Sequence, residues 1–511
     1  MKIKTILMQT LNYFATLVLL IIASLSLVFN TFVTMDWHEI PIISYNRIWL
    51  IPLFVCFLGM LIIAQPILQK IPAQVFFAVF FLIFALMGLY LILNADTKLS
   101  LSDPFFCINA ANEFNHGNYM AMEKGQYLGV YPYQLFWVSL LRIPLAMSTS
   151  VRLIYILNYI WVLLAFFLSY KITTLISKNN SSINTVVFLY FCFLPNLYHN
   201  LFVYNNIPAY TIFLLAIYFF IKSFNINKNK YLYYALTMFT AVIAYFIKNN
   251  FSIGIIALLI IYWLSSLNLK DKLVITLTGI ICMLGISLSI TTYYGSKAKL
   301  ESGMPKIAFV VMGTQQSGEK YGRFNGYTVA LLKQENYSTM ASSQEAKKDL
   351  LKRIDYFKNH PQYTLNFFAK KVITTWTDPL FQSIWDGPLE TNGAKYRTHI
   401  IASIYSSDGK GILARISTIL SKITALTVVL VSIYGATKLR NGSLVNQNLM
   451  NYGNFALVFL IGGFAFHFFW ETKSQYVWQY IDILLPFSGI MLANLSDNLR
   501  KLRKKYRKVE N

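Results

Sequence analysis

Long apolar runs, cut by short polar or basic stretches, set the rhythm of this chain. They fall at 11–33, 48–65, 74–94, 152–176, 184–198, 207–222, 231–247, 251–266, 273–293, 412–437, 452–470 and 479–497. About 20 helical residues cross the hydrocarbon core of a bilayer. Every spanning backbone group must find its partner internally, so the runs predict helices; the short alternating strands of a transmembrane barrel do not occur. One further stretch, 132–148, is shorter and broken by Pro132, Arg142 and Pro144. Basic residues orient the set: Lys70, 222–230, 270–272, 438–440 and the C-terminal "RKLRKKYRKVE" should share the cytoplasmic side. From a cytoplasmic N-terminus, twelve crossings satisfy these positions and thirteen do not. The parity demotes 132–148 to an interfacial or re-entrant segment, whose backbone needs protein cover. The expected fold is an all-α polytopic membrane protein with about twelve transmembrane helices, that one re-entrant or interfacial segment, and an extracytoplasmic α-rich loop domain.

The topology leaves two long polar regions outside, 95–151 and 294–411, the second too long for an idle connection. Within it, "SSQEAKKDLLKRIDYFKNHPQYTLNFFAKKVITTW" reads as two helices. Ser342 and Glu345 have capping-box spacing, Asn359–His360 ends the first helix, and Pro361 opens the next. Leu365, Phe368, Val372 and Trp376 share a face beside Lys370 and Lys371. That face suits a helix lying on the membrane surface, or equally one packed onto the membrane domain.

Composition agrees with a lipid solvent. The 511 residues are 56% hydrophobic and only 13% charged, against about 25% charged in soluble domains. The net charge of +23 would suggest nucleic acid in a soluble protein. Here the basic residues flank apolar runs and suit anionic lipid, and no nucleic-acid motif accompanies them. Cys56, Cys107, Cys192 and Cys282 are scattered, with neither a disulfide framework nor metal-ligand spacing. The start "MKIKTILMQTLNYFATLVLLIIASLSLVF" shows no small-residue cleavage site and reads as a retained first helix. There is no solenoid-type repeat and no low-complexity segment.

Four polar groups near outer membrane edges are candidates for chemistry. Asp103, in "SDPFFCINAANEFNHGNY", suits a general base for a hydroxyl nucleophile, or a helix cap followed by Pro104. Glu113, ten residues on, either shares that face or meets water. Lys248, in "AYFIKNNFSIGIIALL", is a cation at a boundary that calls for a partner such as a lipid phosphate, or else snorkels. Glu471, Lys473 and Tyr476 cluster in "FHFFWETKSQYVWQYIDILLPF" and could hold an anionic headgroup or form a local surface salt bridge. The glycine-punctuated "GMPKIAFVVMGTQQSGEKYGRFNGYT" carries Arg323 and Asn325 and reads as a substrate-covering loop or a turn array. No Walker, Rossmann, zinc or Ser–His–Asp motif is present, which argues against an ATP-driven pump.

Taken in order, "SDPFFCINAANEFNHGNY", "GVYPYQLFWVSLL", "AYFIKNN" and "WETKSQYVWQYIDILLP" resemble the type-C glycosyltransferase superfamily. The branch is that of bacterial relatives of protein O-mannosyltransferases and the lipid A aminoarabinose transferase. "PKIAFVVMGTQQSGEKYGRFNGYT" and "TTWTDPLFQSIW" resemble Gram-positive members that build cell-wall glycopolymers. The resemblance spans roughly 75–497. It implies a polyprenyl-phosphate sugar donor and an outer-surface acceptor, a polymer or a protein, with attack at the anomeric carbon and usually inversion. It implies Asp103 as the catalytic carboxylate, acting as general base, Lys248 and Lys473 against the leaving phosphate, and Tyr133 and Gln134 at the sugar. The expected division is 1–73 as extra N-terminal helices, 74–293 as the membrane core, 294–411 as the loop domain, 412–497 as C-terminal spans and 498–511 as a basic cytoplasmic tail. The expected location is a bacterial plasma membrane, with the site facing outward. Many superfamily members carry a further acid on the second outer loop, where this chain reads "LYHNLFVYNNIPAY" with Asn205 and Asn206. That departure counts against a carboxylate-bound metal there, and no cofactor is assigned. The alternatives are a transporter or flippase of lipid-linked saccharides, for which mid-membrane sites and repeated halves are missing, and a polymerase of lipid-linked units.

Overall fold

The computed structural model describes residues 2–36, 38–99, 102–225, 229–405, 411–444 and 446–509. Residues 226–228 of the basic 222–230 segment, residues 510–511, and the side chains of 506–509 in the C-terminal basic cluster lie outside the described residues. The chain is an all-α polytopic membrane protein. Nine described helices are long and apolar enough to cross a membrane: Ile3–Val28, Leu50–Lys70, Ala73–Asn94, Val151–Ile176, Asn206–Phe224, Lys230–Ile247, Leu269–Gly295, Ile412–Arg440 and Gln447–Phe469. Of the other three expected runs, 251–266 forms the shorter Ser252–Leu264 and 479–497 opens the long Trp478–Val509 helix. The run 184–198 is not one helix. Asn180–Cys192 ends before Pro195, which has no N–H to continue the ladder, and Pro195–Tyr198 adds a single turn.

The segment 132–148 contains the helix Leu135–Leu145. Its 11 residues reach about 16 Å, roughly half of a bilayer core. It packs on Asp103–Asn115 and on Lys230–Ile247, which supply the cover its backbone needs. Arg142 ties it down: Nε donates to Asn115 Oδ1 at 3.1 Å and Nη1 to the Tyr293 hydroxyl at 2.9 Å.

Hydrogen bonds give the bundle two distinct ends. Lys4 and Lys272 both donate to the Ser265 carbonyl, at 3.2 and 3.1 Å. Gln9 donates to the Arg440 carbonyl and Asn446 to the Ile176 carbonyl. The basic helix ends are thereby gathered on one side. Between the ends, aromatic rings fill the helix interfaces, as in Phe77 on Tyr170 at 4.1 Å and Phe166 on Tyr190 at 4.4 Å. Leu277, Ile281, Leu284 and Leu288 of the Leu269–Gly295 helix remain exposed, as a lipid-facing surface should.

The opposite end carries the polar regions. Segment 294–411 includes the helices Lys306–Gly313, Tyr327–Gln334, Thr339–Asn359, Pro361–Trp376 and His399–Tyr405. Ser338, not Ser342, caps Thr339–Asn359, its hydroxyl accepting from the Ala341 N–H at 3.3 Å. The helix starts a turn earlier than the capping-box spacing suggested, so Ser342 lies inside it, buried and with its hydroxyl unpartnered. Pro361 opens the next helix as expected. In that helix Leu365 is exposed, whereas residues from Lys371 to Trp376 are all buried and Phe368 stacks on Phe468 at 4.5 Å. Its C-terminal half therefore packs onto the membrane domain instead of lying on the bilayer.

An element without a sequence forecast joins the first two spans. Apolarity predicts helix throughout 11–33, but the helix ends at Val28, and Phe29–Val33 pairs antiparallel with Pro41–Tyr45. The β-branched and aromatic residues of "FNTFV" and "PIISY" suit strands. This hairpin docks on the stretch after Trp376. The Thr31 and Thr377 hydroxyls meet at 2.9 Å, Trp385 Nε1 donates to the Asp36 carbonyl at 3.1 Å, and the Thr391 hydroxyl to the Met35 carbonyl at 2.7 Å.

Candidate active site

Two corners of one polar cluster come together at this end of the bundle. The first is built from the membrane helices and the first outer loop. Asp103 sits in the first turn of Asp103–Asn115, preceded by Ser102 as the cap residue and followed by Pro104, which needs no N–H partner there. It is therefore not the cap itself. Its carboxylate is exposed, and the Tyr204 hydroxyl donates to Oδ2 at 3.3 Å. Burial and the Asp103 charge hold that hydroxyl well above its ordinary pKa, so it stays a donor. Gln134 Nε2 donates to the same Tyr204 oxygen, and Gln134 Oε1 accepts from Asn205 Nδ2 at 3.3 Å.

Lys248 closes this corner. The Lys230–Ile247 helix ends just before it, leaving Lys248 in extended backbone between two apolar helices. Its ammonium is buried and donates to Asn205 Oδ1 at 3.2 Å and Asn206 Oδ1 at 2.5 Å. It also lies over the Tyr204 and Tyr476 rings, 4.9 and 5.3 Å from their centroids. None of these partners is a carboxylate. Burial pushes the Lys248 amine down to about 7, against the pull of Asp103, Glu471 and Asp386. Asn205 and Asn206 thus hold the Lys248 ammonium by neutral oxygens.

The second corner is built by the late polar stretch and the loops. The glycine-punctuated loop clamps its backbone: Glu471 N–H donates to the Phe309 carbonyl at 3.1 Å, and Thr472 N–H to the Gly322 carbonyl at 2.9 Å. Gly313 approaches so closely that a Cβ there would stand 2.3 Å from the Phe469 carbonyl oxygen and 2.7 Å from Glu471 N. Buried Lys371 bridges the Gly313 and Trp470 carbonyls at 2.6 and 2.9 Å. Asp378 and Gln382 hold Ser474, both accepting from its hydroxyl, at 2.7 and 2.9 Å.

Glu471 is 6% exposed, and its carboxylate has no hydrogen-bond partner among the described residues. Burial raises its pKa to about 7, offset in part by Lys473, Arg323 and Lys371. Asp386 is raised to about 7 as well, by burial and then by Glu39. The local salt bridge between Glu471 and Lys473 does not form. Lys473 instead pairs with Glu39 of the N-terminal hairpin, at 2.7 Å to one carboxylate oxygen and 2.8 Å to the other. Burial alone would lower the Lys473 ammonium; Glu39, with Glu471 and Asp103, outweighs that and holds it above the usual lysine value.

Asp103, Gln134, Lys248, Glu471, Lys473 and Tyr476 thus share one cluster. Tyr133 stands beside Tyr131 at its edge, 43% exposed, with its hydroxyl in the field of Asp103 and Glu471. Arg323 is fully buried behind Glu471, donating to the Thr374 carbonyl at 2.8 Å while its Nε stays unpartnered. Asn325 and Glu113 are not brought in. Asn325 shapes a turn, donating to Gln315 and accepting from the Tyr327 N–H. Glu113 is exposed at the far end of its helix, about 15 Å along the axis from Asp103. Tyr204, Glu39 and Asp386 were not singled out from the sequence. Glu39 and Asp386 carried no local signal; Tyr204 stood beside two asparagines weighed only as missing acids. Among the described residues, no group of three or more His, Cys, Asp or Glu side chains is placed to hold a metal ion. A groove of ≈ 490 Å³ lined by Asn115, Phe136, Arg142 and Tyr293 opens at the other end of the Asp103–Asn115 helix, away from this cluster.

No family model matches the chain, and no curated protein matches it. Among solved structures it is similar to the archaeal oligosaccharyltransferase AglB from Archaeoglobus fulgidus, in complex with an inhibitory peptide and a dolichol-phosphate, at 13% identity and a TM-score of 0.39. The match covers 84% of this chain and 52% of that one, so this chain spans about half the length of AglB. A likeness this loose adds nothing to what the residues themselves carry.

Proposed function

We propose that this chain is a membrane glycosyltransferase. It moves a sugar from a polyprenyl-phosphate donor to an outer-surface acceptor, a cell-wall polymer or a protein, in a bacterial plasma membrane. The carrying observation is that an exposed carboxylate and a buried, carboxylate-free cation contact one side chain: Asp103 accepts from Tyr204, and Lys248 lies over its ring. Transfer of a sugar off a lipid phosphate needs that pair. An acceptor hydroxyl attacks the anomeric carbon, the bond from that carbon to the phosphate oxygen breaks, and its electron pair leaves with the phosphate. Asp103 takes the hydroxyl proton. Lys248 meets the negative charge that grows on the departing phosphate, in surroundings that exclude water and strengthen the attraction. Tyr204 keeps the Asp103 carboxylate aimed, and Gln134 fixes Tyr204. Attack opposite the leaving group inverts the sugar. In this reading the polar cluster faces outside and the opposite end, with the C-terminus, lies in the cytoplasm; the basic helix ends gathered there support it.

The test is Asp103→Asn in membranes, with transfer from a polyprenyl-phosphate-linked sugar as the readout. The rate should fall roughly 10²- to 10⁴-fold, the range of a lost general base. A near-normal rate would sink the catalytic assignment.

A further inference from the structure

Glu39 reaches the cluster from a segment far away in sequence. It lies in the turn between the hairpin strands, in left-handed backbone with φ 50°, uncommon for a residue with a side chain. The turn is fastened from within: Glu39 N–H donates to the Asp36 carbonyl at 3.2 Å, Thr34 N–H to the Ile40 carbonyl at 3.0 Å, and the Thr34 hydroxyl to Asp36 Oδ1 at 2.9 Å. It is fastened from outside by Thr377, Trp385 and Thr391. Backbone held in a sparsely populated region is kept by its surroundings, and such residues gather at functional sites. The Glu39 carboxylate then grips Lys473 with both oxygens, the two side chains being 11% and 15% exposed.

The neighbours of Lys473 explain why that grip matters. Glu39, Glu471, Asp103 and Asp386 face it with negative charge, Lys248 and Lys320 with positive charge, and the Trp385 ring centroid lies 5.6 Å from its nitrogen. Lysine is a point charge on a flexible stem. Without a fixed partner it would turn to the unpartnered carboxylate two residues away. We propose that Glu39 is a positioning residue of this site: it holds Lys473 to one side so that the Glu471 carboxylate stays open to a substrate hydroxyl, which makes the N-terminal hairpin part of the reaction centre. The proposal rests on the glycosyl-transfer reading above. It gives the first two spans and their hairpin a role that helix packing alone would not.

The experiment uses the full chain in membranes, with Glu39→Gln and the shorter acid Glu39→Asp. Transfer from a polyprenyl-phosphate-linked sugar is resolved into kcat and KM. Acylation of Lys473 by a small amine-reactive reagent is read by mass spectrometry. For Glu39→Gln, kcat should drop about tenfold to a hundredfold, as expected when the substrate is misplaced at the reacting centre. Glu39→Asp should recover part of it, and Glu39→Gln should add no loss in a Lys473→Met background. Lys473 labelling should change severalfold between wild type and Glu39→Gln. An unchanged kcat in Glu39→Gln, or an equal further loss without Lys473, overturns the positioning role. A wild-type chain that transfers no sugar from any such donor sinks the functional reading. The labelling still decides whether Glu39 holds Lys473, and equal labelling in the two chains refutes it.

Discussion

Lys248 and Lys473 are both lysines at helix boundaries, both largely enclosed, and both within one cluster, yet the molecule treats them in opposite ways. Lys248 is held by two amide oxygens and two aromatic faces, which fix its position and leave its charge uncancelled. Lys473 is held by a carboxylate through both oxygens, which cancels it. A buried cation with neutral partners is costly until an anion arrives, and a buried ion pair is already satisfied. The difference separates a cation waiting for a ligand from a cation kept in place. Of the two lysines proposed against the phosphate, Lys248 is the one held without a carboxylate.

The sharpest way to break the comparison is to remove the waiting cation. Lys248→Met should lower kcat for transfer roughly 10²- to 10³-fold, the usual loss when a donor to developing negative charge is deleted. If the rate holds, the leaving phosphate is met elsewhere. A subtler change makes the first corner resemble the second. Asn206→Asp gives Lys248 a carboxylate of its own, which repels an incoming phosphate and cancels its partner. Donor KM should rise about tenfold or more while the unfolding temperature stays level or increases; an unchanged KM would detach Lys248 from donor binding.

The smallest effect concerns pH. Glu471 and Asp386 are both raised to about 7 by burial. The folded chain keeps these protons between about pH 4 and 7, where the unfolded chain has lost them, so stability falls as pH rises through that window. Glu471→Gln removes one of the two groups and should shrink the drop in unfolding temperature between about pH 5 and 8. An identical drop in the variant would place the effect on other groups.

Much of this architecture is legible in the order of residues. Length and apolarity suffice for nine of the twelve runs because a bilayer imposes them locally, whereas 184–198 breaks before Pro195. The prolines, the arginine and topological parity of 132–148 argue against a full span, and its helix has 11 residues. Asp103, Lys248 and Glu471 stood out because an ionisable residue at a membrane edge is conspicuous in an apolar sequence. Signals that depended on choosing among equivalent local options fared worse. Ser342 has the capping-box spacing, but the helix starts a turn earlier and Ser338 caps it. Arg323 and Asn325 lay two residues apart in one loop, and only the first turned inward.

What the sequence by itself determined, then, is the solvent of this protein, most of its helices and the placing of its unusual charges at helix boundaries. These follow from hydrophobic burial and backbone satisfaction, which act on each segment separately. Which charges meet was decided only by the tertiary structure. Pairing Glu39 with Lys473 takes a hairpin, a docking surface after Trp376 and a loop clamped on Glu471, contributed by segments more than 400 residues apart. Two asparagines that looked like missing acids became the neutral hold on Lys248 in the same way. Electrostatics in a low-dielectric cluster depends on distance in space, and no local pattern encodes that distance.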